Sequence, residues 1–158
     1  MDPATGAPVP VDDLTARIVA LPDVGYLLAD QASGAPEPAW GSRFFFAGAD
    51  RMMPFATIVD RDQPGDELSH LDRPGVHRLN LPLGRDEFVR RFGYPPRELE
   101  EHLAGIDFTR PDVLLPHPVY GRQGWACIVD PTPPSLPELD DIIRRAHARA
   151  LRRQRRRD

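Results

Sequence analysis

Val76-His77-Arg78-Leu79-Asn80-Leu81-Pro82-Leu83 is the stretch on which the fold turns. It alternates with a period of two, so His77, Leu79, Leu81 and Leu83 share one face and Val76, Arg78, Asn80 and Pro82 the other. The pattern predicts a strand with one face on a core and a polar face open to water or to a ligand. A strand of that kind belongs to an antiparallel sheet, whose second face need not be covered by helices.

Upstream, three more short strands are predicted. They are Phe55-Ala56-Thr57-Ile58-Val59, the aromatic run Phe44-Phe45-Phe46, and Val24 to Leu28. Loops separate them: residues 30–39 are rich in Gly, Ala, Pro and Ser, and RDQPGDELSHLDRPG (61–75) holds two Pro-Gly pairs. Before the strands, Leu14, Ile18 and Leu21 recur at helical spacing, giving a helix over 12–21 capped by Asp12 or Asp13 and ended by Pro22.

Downstream, a helix is predicted over 85–92, with Phe88 and Phe92 at i, i+4 and Gly93 as its stop. Pro95-Pro96 opens a second helical segment, 96–103, and a long connection covers 104–123. Gly124 to Val129 is the last strand, with Trp125, Cys127 and Val129 on one face. Ser135-Leu136-Pro137-Glu138 has the form of a capping box, and Leu139, Ile142, Ile143, Ala146 and Ala150 carry the last helix to at least residue 150. Strands grouped together rather than alternating with helices predict an α+β fold. The expected architecture is a single domain with an antiparallel sheet of four to five strands, flanked by the N- and C-terminal helices. Residues 1–10 read as a flexible leader, 11–150 as the domain and 151–158 as an Arg-rich tail.

The composition narrows the function classes. The 158 residues include 19 prolines, 12 glycines and a single cysteine, which excludes a disulfide framework and any multi-cysteine metal site. The five histidines (70, 77, 102, 117 and 147) show no metal-ligand spacing, so no metal site is predicted. No Gly-rich phosphate loop and no nucleophile elbow is present, and no cofactor is expected. Without a long apolar run or a secretory signal, no membrane partner and a cytoplasmic location are expected. All 20 basic residues are arginine, and they are unevenly placed: residues 1–143 carry a net charge of −11, residues 144–158 one of +7.

The segments Trp40-Gly41, Phe44 to Phe46, Pro54 to Val59, Leu71 to Gly75, Arg78 to Asn80, Leu115 to Tyr120 and Gly124-Trp125 resemble a family of small proteins of unknown function, mostly actinobacterial. The resemblance covers about residues 11–150 and implies no activity. More distantly, the order of elements is similar to that of YjbR/MmcQ-type proteins. This similarity implies a fold related to the frataxin (CyaY-like) sandwich, with helices on one side of an antiparallel sheet. That group is often labelled DNA-binding, whereas the body of this chain is acidic.

Three sets of residues carry the functional expectations. His117 sits between Pro116 and Pro118, whose fixed φ angles orient it, and Tyr120 and Trp125 follow. Together they suit a ligand site, with His117 as a candidate general base; the alternative is a packed connector with the imidazole bonded to backbone. Arg78 and Asn80 lie on the polar strand face, with Thr57 on a nearby strand, and suit a small anionic ligand; the alternative is a solvated strand face, or Arg78 paired with Asp60 or Asp72. Arg145, Arg149, Arg152 and Arg156 form a basic stripe if the last helix continues, suited to weak contact with nucleic acid or to docking on an acidic surface. The leading expectation is a non-enzymatic binding module with its face around Arg78, Asn80, His117 and Tyr120. The rivals are a small cofactor-free enzyme using His117 as base and Arg78 as anion holder, and nucleic-acid binding through the arginine stripe.

Overall fold

The computed structural model describes residues 6–157. The strand expected around Arg78 is present as β4 (Arg78–Pro82), the fourth of six antiparallel strands. Before it come α1 (Val11–Val19), β1 (Val24–Leu28), β2 (Arg43–Ala47) and β3 (Ala56–Val59). After it come α2 (Arg85–Phe92), β5 (Leu115–Pro116), β6 (Trp125–Val129) and α3 (Leu136–Arg157). The sheet order is β1-β2-β3-β4-β6-β5, so β6 enters between β4 and the edge strand β5.

The alternation of each strand sorts the sheet into two faces. One face carries Phe45, Ala47, Ala56, Ile58, Leu79, Leu81, Ala126 and Ile128, all buried against α1 and α3. Leu14 and Ile18 come from α1; Leu139, Ile142, Ile143 and Ala146 come from α3. Both terminal helices therefore cover the same side, as their apolar spacing requires. The registers Phe44↔Thr57, Thr57↔Asn80 and Asn80↔Cys127 line up one row of side chains on the opposite face.

Several expectations need correction. The sheet has six strands rather than four to five, because Leu115–Pro116 pairs with Cys127 and Ala126 inside the stretch read as a connection. Two residues, one of them a proline, show no alternation, and proline is tolerated there because β5 is an edge. The segment expected to be helical over 96–103 is a pair of 3₁₀ turns, Pro96–Glu101 and Leu103–Gly105, anchored by the fully buried Leu99. The capping box does not form: Ser135 donates to Asp112 instead (2.7 Å), and Glu138 pairs with Arg91. Neither Asp12 nor Asp13 caps α1, which starts after Pro10 and ends at Val19; Asp12 pairs with Arg43.

Both ends of the described residues are tied into the fold. The leader expected over 1–10 falls partly on residues 1–5, outside those described. Val9 is buried, donates its N–H to Pro131 O (2.7 Å) and offers its carbonyl to His77 Nε2 at 2.9 Å. The stretch expected as a tail continues α3 through residue 157, with Leu151 packed on the core. Gln154, with its amide turned to accept, takes the N–H groups of Ala49 (2.8 Å) and Asp50 (3.2 Å).

Gly124 sets the entry into β6. Its φ is +87°, and a Cβ there would lie 3.4 Å from the backbone of Gly84, itself at φ +80°. Gly124→Ala is expected to destabilise the fold by about 1–2 kcal/mol, the cost of an L-residue in the left-handed region. Thermal denaturation would register that as a fall of about 3–6 °C for a domain of this size.

Candidate functional site

The strand face opposite the helices is the one the sequence leaves open to water. The structure corrects this: Arg78 is 1 % exposed and Asn80 3 %. Two loops roof them. Residues 60–75 fold back through the turn Gln63-Pro64-Gly65-Asp66, closed by Asp66 N–H donating to Gln63 O (2.8 Å) and Gln63 N–H to Asp66 O (3.2 Å). Proline followed by a glycine at φ +82° is what such a turn demands. The base of the loop is latched reciprocally, since Asp62 N–H donates to Asp72 Oδ1 (3.0 Å) and Leu71 N–H donates to Asp62 Oδ1 (2.8 Å). Leu71 is buried, and the loop thereby lowers Asp66 and Ser69 onto Arg78.

The Arg78 guanidinium is completely engaged. Its Nε donates to Asn80 Oδ1 (2.8 Å), and Nη1 to Asp66 Oδ1 (3.0 Å) and Ser69 Oγ (3.0 Å). Nη2 donates to Asp66 Oδ2 (2.6 Å) and faces His117 Nε2 at 3.1 Å. An arginine has five N–H groups: four here meet oxygen acceptors, and the fifth faces the His117 ring. Burial works against the Asp66 carboxylate, but the hydrogen bonds and charge of Arg78 outweigh it and hold the carboxyl below its ordinary range. The expected anion holder is thus buried with four of its donors taken, and its charge is cancelled by Asp66, the partner that sequence reasoning missed in favour of Asp60 or Asp72.

His117 arrives from the other loop. Its N–H donates to Trp125 O (3.0 Å), while its Nδ1 accepts from the backbone N–H groups of Val119 (3.1 Å) and Tyr120 (2.9 Å). Three N–H groups therefore converge on two ring nitrogens. A neutral imidazole offers one lone pair and an imidazolium none, so protonation has no place here. Burial first, then the charge of Arg78, push the imidazole down to about 3, against the opposing pull of Asp66. The expected general base is a neutral, 1 % exposed ring that orients the Val119–Tyr120 backbone. Cys127, under the same floor, is pushed up to about 12 by burial and stays a thiol.

Arg78, Asn80, His117, Tyr120 and Trp125 do come together, around a pocket of about 670 Å³. Its floor is the row Phe44, Thr57 and Asn80, with Asn80 Nδ2 donating to Thr57 Oγ1 (2.9 Å). Tyr120 and Trp125 form a wall, their ring centroids 6.4 Å apart, and the Tyr120 ring lies 5.0 Å from that of His117. Met53 and Pro54 also line the pocket. Ser42, Met53, Gln63 and Asp66 were not anticipated. The only sequence sign of Asp66 was its place directly after Pro64-Gly65, at the return of a tight turn.

The arginine stripe is divided. Arg145 donates to both oxygens of Glu87 (3.1 Å each), and Arg149 donates to Pro82 O (2.6 Å). Arg152 and Arg156 are exposed, beside the equally exposed Arg153 and Arg155. Among the described residues no group of His, Cys, Asp and Glu is placed to hold a metal, and no helix is long and apolar enough to cross a membrane.

A family model described as a family of unknown function (DUF6194) matches residues 9–158. No curated protein and no solved structure matches the chain.

Proposed function

We propose that this chain, which belongs to that family of unknown function, is a non-enzymatic small-molecule binding module whose ligand sits between the sheet and its two roofing loops. The observation that carries the reading is the pocket itself. At about 670 Å³ it is of the size that takes a compact organic ligand. Its wall is aromatic, and its polar groups are locked in place before any ligand arrives: Asn80 by Arg78 and Thr57, His117 by two backbone N–H groups. Preorganisation of this kind lowers the ordering cost of binding. The enzymatic rival loses support, since neither His117 nor Cys127 is poised to exchange a proton near neutral pH.

The order of elements, with both terminal helices on one side of the sheet, supports kinship with the YjbR/CyaY arrangement, from which the sixth strand is a departure. Contact with nucleic acid would rest on the exposed arginines at the end of α3 and not on the pocket face, where Arg78 is buried and its charge is met by Asp66.

The test is a titration with the uncharged dye N-phenyl-1-naphthylamine, read by its fluorescence and by quenching of Trp125 in a Trp40→Phe background. Saturable binding of one dye per chain is expected. Tyr120→Ala, which removes an exposed wall residue, is expected to weaken it about tenfold, the scale of one lost aromatic contact. Absence of saturable binding, or equal binding by Tyr120→Ala, would sink the reading.

A further inference from the structure

From the charge balance of this pocket we infer its ligand class: an uncharged, ring-containing molecule carrying a carbonyl or hydroxyl oxygen, and not the anion that an arginine and a histidine on one strand face suggest. The inference rests on the pocket reading above and adds to it the chemistry of the occupant.

The ionisable side chains around the pocket are Asp66, Arg78, His117 and the phenol of Tyr120. Arg78 and Asp66 cancel each other through two short hydrogen bonds, 2.6 and 3.0 Å long. His117 has its ring nitrogens turned to Arg78 and to backbone N–H groups, and is neutral. The site therefore presents no net charge. An anion entering it would lose its hydration without gaining a free cation, and a cation would meet a carboxylate already held by Arg78. Either exchange is unfavourable in a half-enclosed, largely apolar space.

What the pocket does offer is a set of neutral hydrogen-bonding groups without partners among the described residues. The Thr57 hydroxyl accepts from Asn80, and its own proton has no acceptor. Ser42 and Trp125 also line the space, and neither the Ser42 hydroxyl nor the Trp125 indole N–H has a partner among the described residues. All three can donate, which suits a carbonyl or hydroxyl oxygen on the ligand. The Phe44, Tyr120 and Trp125 rings around them suit a flat apolar body.

Two dyes that share one frame separate the possibilities. N-phenyl-1-naphthylamine is uncharged; 8-anilinonaphthalene-1-sulfonate is nearly the same molecule with a sulfonate added. The wild-type chain is expected to bind the uncharged dye at least tenfold more tightly at neutral pH and moderate salt. Asp66→Asn removes the charge that cancels Arg78 and frees its donors, so in that variant the preference is expected to narrow to threefold or less, or to reverse. Folding of the variant is checked by near-ultraviolet circular dichroism. If it does not fold, the wild-type ratio alone decides. Equal or tighter binding of the sulfonate by the wild-type chain would overturn the inference while leaving the pocket reading in place. So would a folded Asp66→Asn with an unchanged preference. If neither dye binds, the pocket reading itself fails, and the ligand class with it.

Discussion

Replacing Asp66 with alanine is expected to destabilise the protein by about 3–5 kcal/mol, because it leaves a guanidinium buried without a counter-charge. Arg78 is 1 % exposed, and Asp66 supplies two of its four oxygen acceptors. The remaining partners, Ser69, Asn80 and His117, are neutral and cannot replace the carboxylate. A loss of that size is a large part of the net stability of an ordinary domain, about 5–15 kcal/mol. Urea denaturation followed by tryptophan fluorescence measures it directly. The double variant Asp66→Leu, Arg78→Met is expected to be more stable than Asp66→Ala, since both charges leave together and apolar side chains fill their volume. If Asp66→Ala costs less than about 1 kcal/mol, the scale of exposed pairs, the pair is not buried in solution as described here.

Acid is expected to destabilise the fold through His117. The unfolded imidazole takes up a proton near pH 6.5, whereas the native one does so only at about 3. Between those values the unfolded state binds more protons, so stability is complete above about pH 6.5 and is lost progressively as the pH falls toward 3. At pH 4 the loss from this one group is about 3 kcal/mol. Asp66, held below its ordinary range, adds a loss in the same direction at lower pH. Urea midpoints at pH 7, 5.5 and 4 are expected to fall steeply for the wild-type chain. They are expected to fall less over that interval for His117→Gln, which starts from a lower value because it loses the bonds to Val119 and Tyr120. Parallel pH dependences in the two proteins would show that another group is responsible.

Much of this architecture is legible in the sequence. The period of two around Leu79 and Leu81 and the apolar spacing of both terminal helices place β4, α1 and α3 on the correct side of the core. What local pattern does not carry is what lies above the second face. Arg78 and Asn80 read as a solvated surface because alternation reports only that two faces differ, not that a loop covers one of them. Asp66 is twelve residues from Arg78, and its role depends on a turn whose direction is set by the Asp62–Asp72 latch. Leu115–Pro116 is a strand only because β6 lies beside it, a tertiary fact that no propensity records. Likewise Ser135 forgoes the capping box for Asp112, a partner 23 positions away. Arg78, His117, Tyr120 and Trp125 are legible as candidate residue types, but that Arg78 and His117 share one site is not. Nor is their chemistry, since a free arginine and an exposed histidine would have meant an anion site.

The entry of β6 between β4 and β5 has a consequence for synthesis. As the chain leaves the ribosome, β1 to β4 form a meander of neighbouring hairpins that can pair in order as each emerges. That nascent sheet ends on an unpaired β4, with Leu79 and Leu81 uncovered until residues 125–129 and α3 have been made. An open edge beside uncovered apolar side chains is the form in which partly made proteins associate wrongly. The protein thus has an interval of exposure that closes only when β6 and α3 are released, and premature termination before residue 125 leaves a chain that still holds the loops over Arg78 yet keeps β4 as an open edge.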